Sequence, residues 1–153
     1  MVTKFTLTAS LLRSAIRQPS DIGWLIRIAL FIVRAPRDLA HTDVATFVER
    51  LRTGPRPKAS DLRAGTERVK RLRGACLGMP ALWRRDSCYV RALTLYRFLD
   101  PGTREVNLHF GVELPDAGQQ RLHGHAWVTA DREILEGPDA VLAGRIRELA
   151  RRG

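Results

Sequence analysis

The sequence predicts an α+β domain, with a helical N-terminal half leading into a cysteine-bearing helix packed on a small antiparallel sheet. Three observations predict it. Apolar residues recur at helical spacing in several segments before residue 100, most of them opened by Ser, Thr or Asp and stopped by Pro or Gly. From Val106 onward the apolar period changes to two, the pattern of strands with one buried face. Between the two regimes, Asp100-Pro101-Gly102 reads as a turn.

A chain of 153 residues holds one domain with a real core, or one domain with a helical extension. Hydrophobic residues make up 44% and charged residues 27%, which is globular composition and excludes wholesale disorder. Lys and Arg outnumber Asp and Glu by 26 to 16, a formal charge of +10 supplied mostly by arginine. Such a surface attracts polyanions and acidic peptides, but the charge is scattered rather than gathered into a nucleic-acid footprint. Two cysteines, Cys76 and Cys88, do not make a disulfide framework, and nothing upstream reads as a secretory signal, so a reducing cytoplasm is expected.

Residues 1–17 carry a weak apolar stripe at Leu11, Leu12 and Ile16, compatible with a short helix. Ser20 and Asp21 then offer a cap for a helix from Ile22 to Val33, apolar over most of its circumference and therefore expected to be buried, with docking on a partner or a membrane surface as the alternative. Its apolar part is about a dozen residues and includes Arg27, too short for a membrane span of about 20. Pro36 is expected to end it. Thr42 or Asp43 caps a further helix through Phe47 and Leu51 to Gly54-Pro55, and Arg56-Pro57-Lys58 reads as a linker. Ser60 is a candidate cap for a helix to about Leu72, with Arg73 among the charges outside its thin apolar stripe and Gly74 as its break. Trp83 is read equally as pocket wall or core.

The helix that organises the rest begins at Cys88. Cys88, Ala92, Leu95 and Leu99 fall on one face, and Asp86 or Ser87 can cap the first turn. A thiol there meets the positive end of the helix dipole, which favours the nucleophilic thiolate; the alternative is a small buried hydrophobe. Val106, Leu108, Phe110, Val112 and Leu114 then alternate with Asn107, His109, Gly111 and Glu113, and Leu122 to Thr129 forms a second strand. Asp131-Arg132 turns the chain into a third strand, Glu133 to Glu136, and the stretch from Pro138 to Leu149 predicts a closing helix.

A catalytic cysteine needs a histidine to take its proton and a third group to hold the ring. His109 faces away from the apolar positions and is expected to point at solvent, whereas His123 and His125 share a face with Trp127 and either can approach Cys88. A two-residue turn would set Trp127 opposite Glu136 and place Glu136 on the diagonal of His125, although a shift of one residue would flip it. A metal site built from Cys88, His109, His123 and His125 competes, without any Cys-x-x-Cys to support it. There is no Gly-rich phosphate loop, so no nucleotide cofactor is expected.

Three blocks, Cys88 to Leu99, Phe110-Gly111-Val112 and His123 to Val128, together resemble the transglutaminase-like cysteine peptidases that remove the leader from lasso-peptide precursors. The resemblance covers about Ala81 to Glu136 and implies a papain-like core, with residues 1–80 as a helical region and 81–153 as the catalytic region of one compact unit. It implies Cys88 as nucleophile and His125, not His123, as base. The family's acidic residue falls about a dozen positions after the histidine, which lands here on Gly137; Glu136 is the nearest acid, Asp139 the next, and Asp131 sits in the turn. The resemblance also implies a precursor-peptide substrate, a small leader-binding partner protein, a separate ATP-dependent cyclase for ring closure, and no metal or cofactor. The Cys88 N–H has the polarity of an oxyanion donor. Two rivals are a non-catalytic peptide-binding scaffold and a basic nucleic-acid binder.

Overall fold

The computed structural model describes residues 12–113, 123–137 and 146–152. After a helical turn at 12–15 come α1 (Ser20–His41), α2 (Val44–Arg52), α3 (Leu62–Leu77), a 3-10 turn (Trp83–Arg85) and α4 (Cys88–Phe98). Strands β1 (Val106–Glu113), β2 (His123–Ala130), β3 (Glu133–Glu136) and β4 (Ile146–Arg152) form one antiparallel sheet in the order β3-β2-β1-β4. This is the α+β architecture that the change of period predicts.

One hydrophobic cluster joins the helical half to the sheet: Ile28 and Ile32 of α1, Val69 and Leu72 of α3, Leu93 and Leu95 of α4, and Leu108, Ala126 and Val128 of the strands. The α4 helix lies at its centre, with Ala92 and Leu95 fully buried and Leu99 just beyond its end 1% exposed. Trp24 and Phe31 of α1 meet Phe98 edge-on, at centroid distances of 6.1 and 5.6 Å, and so pin the C-terminal end of α4.

Several helix ends differ from expectation. Pro36 lies inside α1, which continues to His41. Its ring removes one N–H from the helix interior, and beside the gap the Arg85 guanidinium donates to the Val33 carbonyl at 3.2 Å. The α1 helix is also less buried than its composition suggests: Ile22, Ile26 and Leu30, one turn apart, are about half exposed. Among the described residues no helix is long and apolar enough to cross a membrane. The cap of α3 is Asp61 rather than Ser60, accepting from the Ala64 N–H at 2.7 Å. The α3 helix then runs through Gly74 to Leu77, because Ala75, Cys76 and Leu77 are core residues whose burial outweighs one glycine.

The largest correction concerns the C-terminus. Residues 146–152 form a strand against β1 where a helix was expected, while 138–145 lie outside the described residues. Without β4, strand β1 would present an outer edge of unpaired backbone groups, and pairing there overrides the helix propensity of this Arg- and Leu-rich stretch. The β2–β3 turn is as predicted: Asp131 and Arg132 have φ of 47° and 76°, the left-handed pair that a two-residue hairpin needs. Asp131 also accepts from the Glu105 N–H at 3.1 Å and pairs with Arg104, a structural role. An arginine is strained at such a φ, so Arg132→Gly is expected to raise stability by up to about 1 kcal/mol in urea unfolding. A loss of stability would show that the Arg132 side chain contributes more than its backbone costs.

Candidate active site

Two elements bring the cysteine to the sheet. Ser87 caps α4, its hydroxyl accepting from the Val90 N–H at 3.3 Å, which makes Cys88 the first helical residue. Asp86, the alternative cap, instead holds Arg91 through two hydrogen bonds of 2.6 Å, and these keep its carboxyl below the usual range. The amides of Cys88 and Tyr89 have no hydrogen-bond acceptor among the described residues, so the start of the helix presents free donors beside the thiol. Cys88 is half-buried, and its Sγ donates to the Gly124 carbonyl at 3.8 Å. A Cβ at 124 would collide with the Tyr89 hydroxyl, so a larger residue there would have to displace the Tyr89 ring. Tyr89 in turn stacks on Phe110 of β1.

His125 is the next residue of β2. Alternation puts Ala126 and Val128 on the helix side of the sheet and His125 on the face that carries Trp127 and His109. Its Nε2 lies 3.3 Å from a carboxylate oxygen of Glu113, diagonal to it on β1, and its Nδ1 is buried without a partner among the described residues. Cys88 and His125 thus flank one point of β2, the Gly124 carbonyl. No hydrogen bond joins Sγ to the ring among the described residues.

The carboxylate on His125 is therefore Glu113, not Glu136. The turn has the expected length, but a bulge between Val128 and Thr129 sets Glu136 opposite Val128 instead of Trp127. That shift of one residue moves Glu136 to the helix side. There it accepts from Arg73 at 3.1 Å, with Lys70 at 3.9 Å, and lines a pocket of about 270 Å³ with Cys88, Ser87, Arg91 and Gly137. Arg73, read from the sequence as solvated, is buried, and it also donates to the Arg91 carbonyl of α4. Asp139 lies outside the described residues.

His109 does not point at solvent. Its ring is buried, stacked on Trp127 at 5.1 Å, with one nitrogen 2.7 Å from Glu148 of β4 and the other 2.8 Å from the Thr129 hydroxyl. The arrival of β4 supplies the partner that the sequence did not suggest. His123 is exposed, and among the described residues no group of three or more His, Cys, Asp or Glu is placed to hold a metal ion. Trp83 is 58% exposed beneath the Arg84 guanidinium, neither core nor pocket wall.

A cysteine at a helix start thus meets a strand one residue before a histidine held by a carboxylate. A family model described as the transglutaminase-like superfamily matches residues 29–149. The chain belongs to the transglutaminase-like superfamily. The match begins inside α1 and takes in α2, α3, α4 and strands β1 to β3. No curated protein and no solved structure matches the chain.

The two cysteines of this transglutaminase-like chain should differ in reactivity. Burial pushes the Cys76 thiol up to about 11, and its Sγ donates to the Leu25 carbonyl. Iodoacetamide at pH 8 is therefore expected to alkylate Cys88 at least about tenfold faster than Cys76, read by peptide mapping of the folded protein. Equal rates would contradict an accessible Cys88.

Proposed function

We propose that the chain is a cysteine peptidase that removes the leader from a ribosomally made precursor peptide, with Cys88 as nucleophile, His125 as base and Glu113 as the group that orients the ring. The observation that carries this reading is the contact of Cys88 with β2 one residue before a histidine whose Nε2 rests on a carboxylate while its Nδ1 stays unpartnered. Glu113 fixes the tautomer by accepting a hydrogen bond from Nε2–H, which leaves the Nδ1 lone pair free for the thiol. The step requires Nδ1 to come within hydrogen-bond reach of Sγ, and free enzymes commonly hold such pairs more loosely than their complexes do.

His125 takes the Sγ proton, and the thiolate attacks the carbonyl carbon of the scissile peptide bond. The resulting oxyanion is met by the free amides at the start of α4. His125 returns the proton to the leaving amine, the C–N bond breaks, and the leader remains as a thioester on Cys88. Water, deprotonated by His125, hydrolyses that thioester and restores the thiol. The lasso-peptide assignment rests on the three-block resemblance, and with it go the small leader-binding partner and the separate ATP-dependent cyclase.

The test is to search the neighbouring genes for a short precursor peptide and a leader-binding protein, incubate the protein with them and weigh the products. Two fragments whose masses sum to the precursor plus one water are expected from the wild type and none from Cys88→Ala. Cleavage that survives Cys88→Ala would overturn the reading. Steeply salt-dependent binding of DNA in place of any cleavage would favour the nucleic-acid rival.

A further inference from the structure

We propose that the groove between α3 and the outer edge of β3 takes an extended segment of the peptide substrate, pairing it with β3 as an added strand and leading it toward Cys88. This inference rests on the peptidase reading and adds a second binding surface to it. Strand β3 is the last of the sheet, with β2 on one side and no backbone hydrogen bond from another element among the described residues on the other. In a two-residue hairpin the closing pair, here Ala130 and Glu133, is the hydrogen-bonded one. Ile134 therefore turns its N–H and C=O away from β2, toward the groove. An unpaired edge of this kind is a template for an added strand.

The facing wall is α3, and the groove between the two measures about 580 Å³. Leu62 and Thr66 of α3 face Ile134 and Leu135 of β3 across it. Thr66 supplies an independent observation that points to a ligand: the residue is only 5% exposed, it lines the groove, and its hydroxyl has no partner among the described residues. A buried hydroxyl without a bond is costly, and an incoming backbone amide or carbonyl would satisfy it. The rim charges are mixed, Arg63 and Lys70 against Glu67 and Glu133, which disfavours a polyanion and leaves recognition to backbone bonds and apolar side chains.

Continuity with the thiol site fixes the occupant. Strand β3 ends at Glu136, and Glu136 and Gly137 line the pocket of Cys88, so a peptide laid along β3 arrives at the nucleophile. The contact of Lys70 with Glu136 and the buried pair of Arg73 with Glu136 mark the junction between groove and pocket.

The experiment uses the full-length Cys88→Ala protein, labelled with ¹⁵N, and the precursor peptide at saturation. Amide exchange at Ile134 is expected to slow about tenfold or more, and N-methylation of the peptide at alternate backbone amides should abolish that protection with a period of two. Cleavage by the wild type with unchanged exchange at Ile134 would overturn the groove proposal and leave the peptidase reading standing. Protection of Ile134 with no cleavage by the wild type would do the reverse. In the active protein, Thr66→Val is expected to raise Tm by removing an unsatisfied buried hydroxyl, and to raise KM about fivefold with a smaller effect on kcat. A raised Tm with unchanged KM would mark the hydroxyl as merely unsatisfied and overturn its role in binding.

Discussion

Asp21→Asn is expected to lower stability by about 3 kcal/mol or more, roughly 10 °C in Tm for a domain of this size. Asp21 is fully buried at the start of α1, where its carboxylate collects the Arg17 and Gln18 N–H groups, the Arg68 guanidinium at 2.8 Å and the Arg71 guanidinium at 3.2 Å. The site ties α1 to α3, and Arg71 also reaches back to the Ala15 carbonyl. An amide in place of the carboxylate leaves two mostly buried arginines without a counter-charge. Stability totals about 5–15 kcal/mol in a typical domain, so the loss is a large fraction of it. Burial alone would raise the Asp21 pKa, but the Arg17 N–H and the Arg68 guanidinium outweigh it and hold the carboxyl below its ordinary value. With a depressed folded pKa, the contribution is complete above the unfolded value of about 3.9 and is lost as pH falls through the folded one. Urea unfolding should therefore show a wide gap between wild type and Asp21→Asn at pH 7, and a narrowing gap as the pH drops below about 4. A gap that stays constant to pH 2 would contradict this account of Asp21.

The second large effect separates the two glutamates near the site. Glu113→Gln is expected to reduce kcat for leader cleavage by about 10²- to 10⁴-fold while leaving Tm within a few degrees, because it replaces the carboxylate on Nε2 with an amide whose NH2 can turn to the ring and favour the other tautomer. Glu136→Gln should act the other way. Its carboxylate neutralises Arg73, whose side chain is 8% exposed, so the variant is expected to lose about 3 kcal/mol of stability. Burial already lowers the Arg73 pKa, with Glu136 opposing the shift, and the guanidinium also holds the Arg91 carbonyl of α4. Its residual folded activity should stay within about tenfold of wild type. If Glu136→Gln destroys cleavage without loss of Tm and Glu113→Gln is silent, the orienting role returns to Glu136.

Why the sequence showed neither glutamate's place follows from how sheets encode contacts. The turn at Asp131-Arg132 is written in two residues, and the sequence placed it correctly. The bulge that turns Glu136 toward Arg73 is a property of packing against α3, with no local signature at Val128 or Leu135. Glu113 stood on the polar face of β1 in the alternation pattern, but its place diagonal to His125 depends on the β1–β2 register, which the long connection between them does not fix. The α4 face was readable because Cys88, Ala92, Leu95 and Leu99 carry helical spacing within one element.

Long-range pairing also explains the other differences. A strand propensity too weak to announce itself at 146–152 is sufficient once β1 offers an edge, and Glu148 then converts His109 from an exposed side chain into a buried, doubly hydrogen-bonded one. Pro36 looked like a stop because local rules treat it so, yet α1 continues through it under the tertiary contacts of Ile32 and Ala35. Arg73 looked like one more solvated charge until Glu136 was brought to it from 63 residues away.

The central claim is that Cys88 forms a thioester with the leader, and the most direct measurement is the mass of the protein acid-quenched during early turnover of the precursor peptide. The account predicts an adduct equal to the leader fragment less one water, mapped by peptide digestion to Cys88 and absent in Cys88→Ala. Turnover without any adduct on Cys88, with the cleavage persisting in Cys88→Ala, would contradict it.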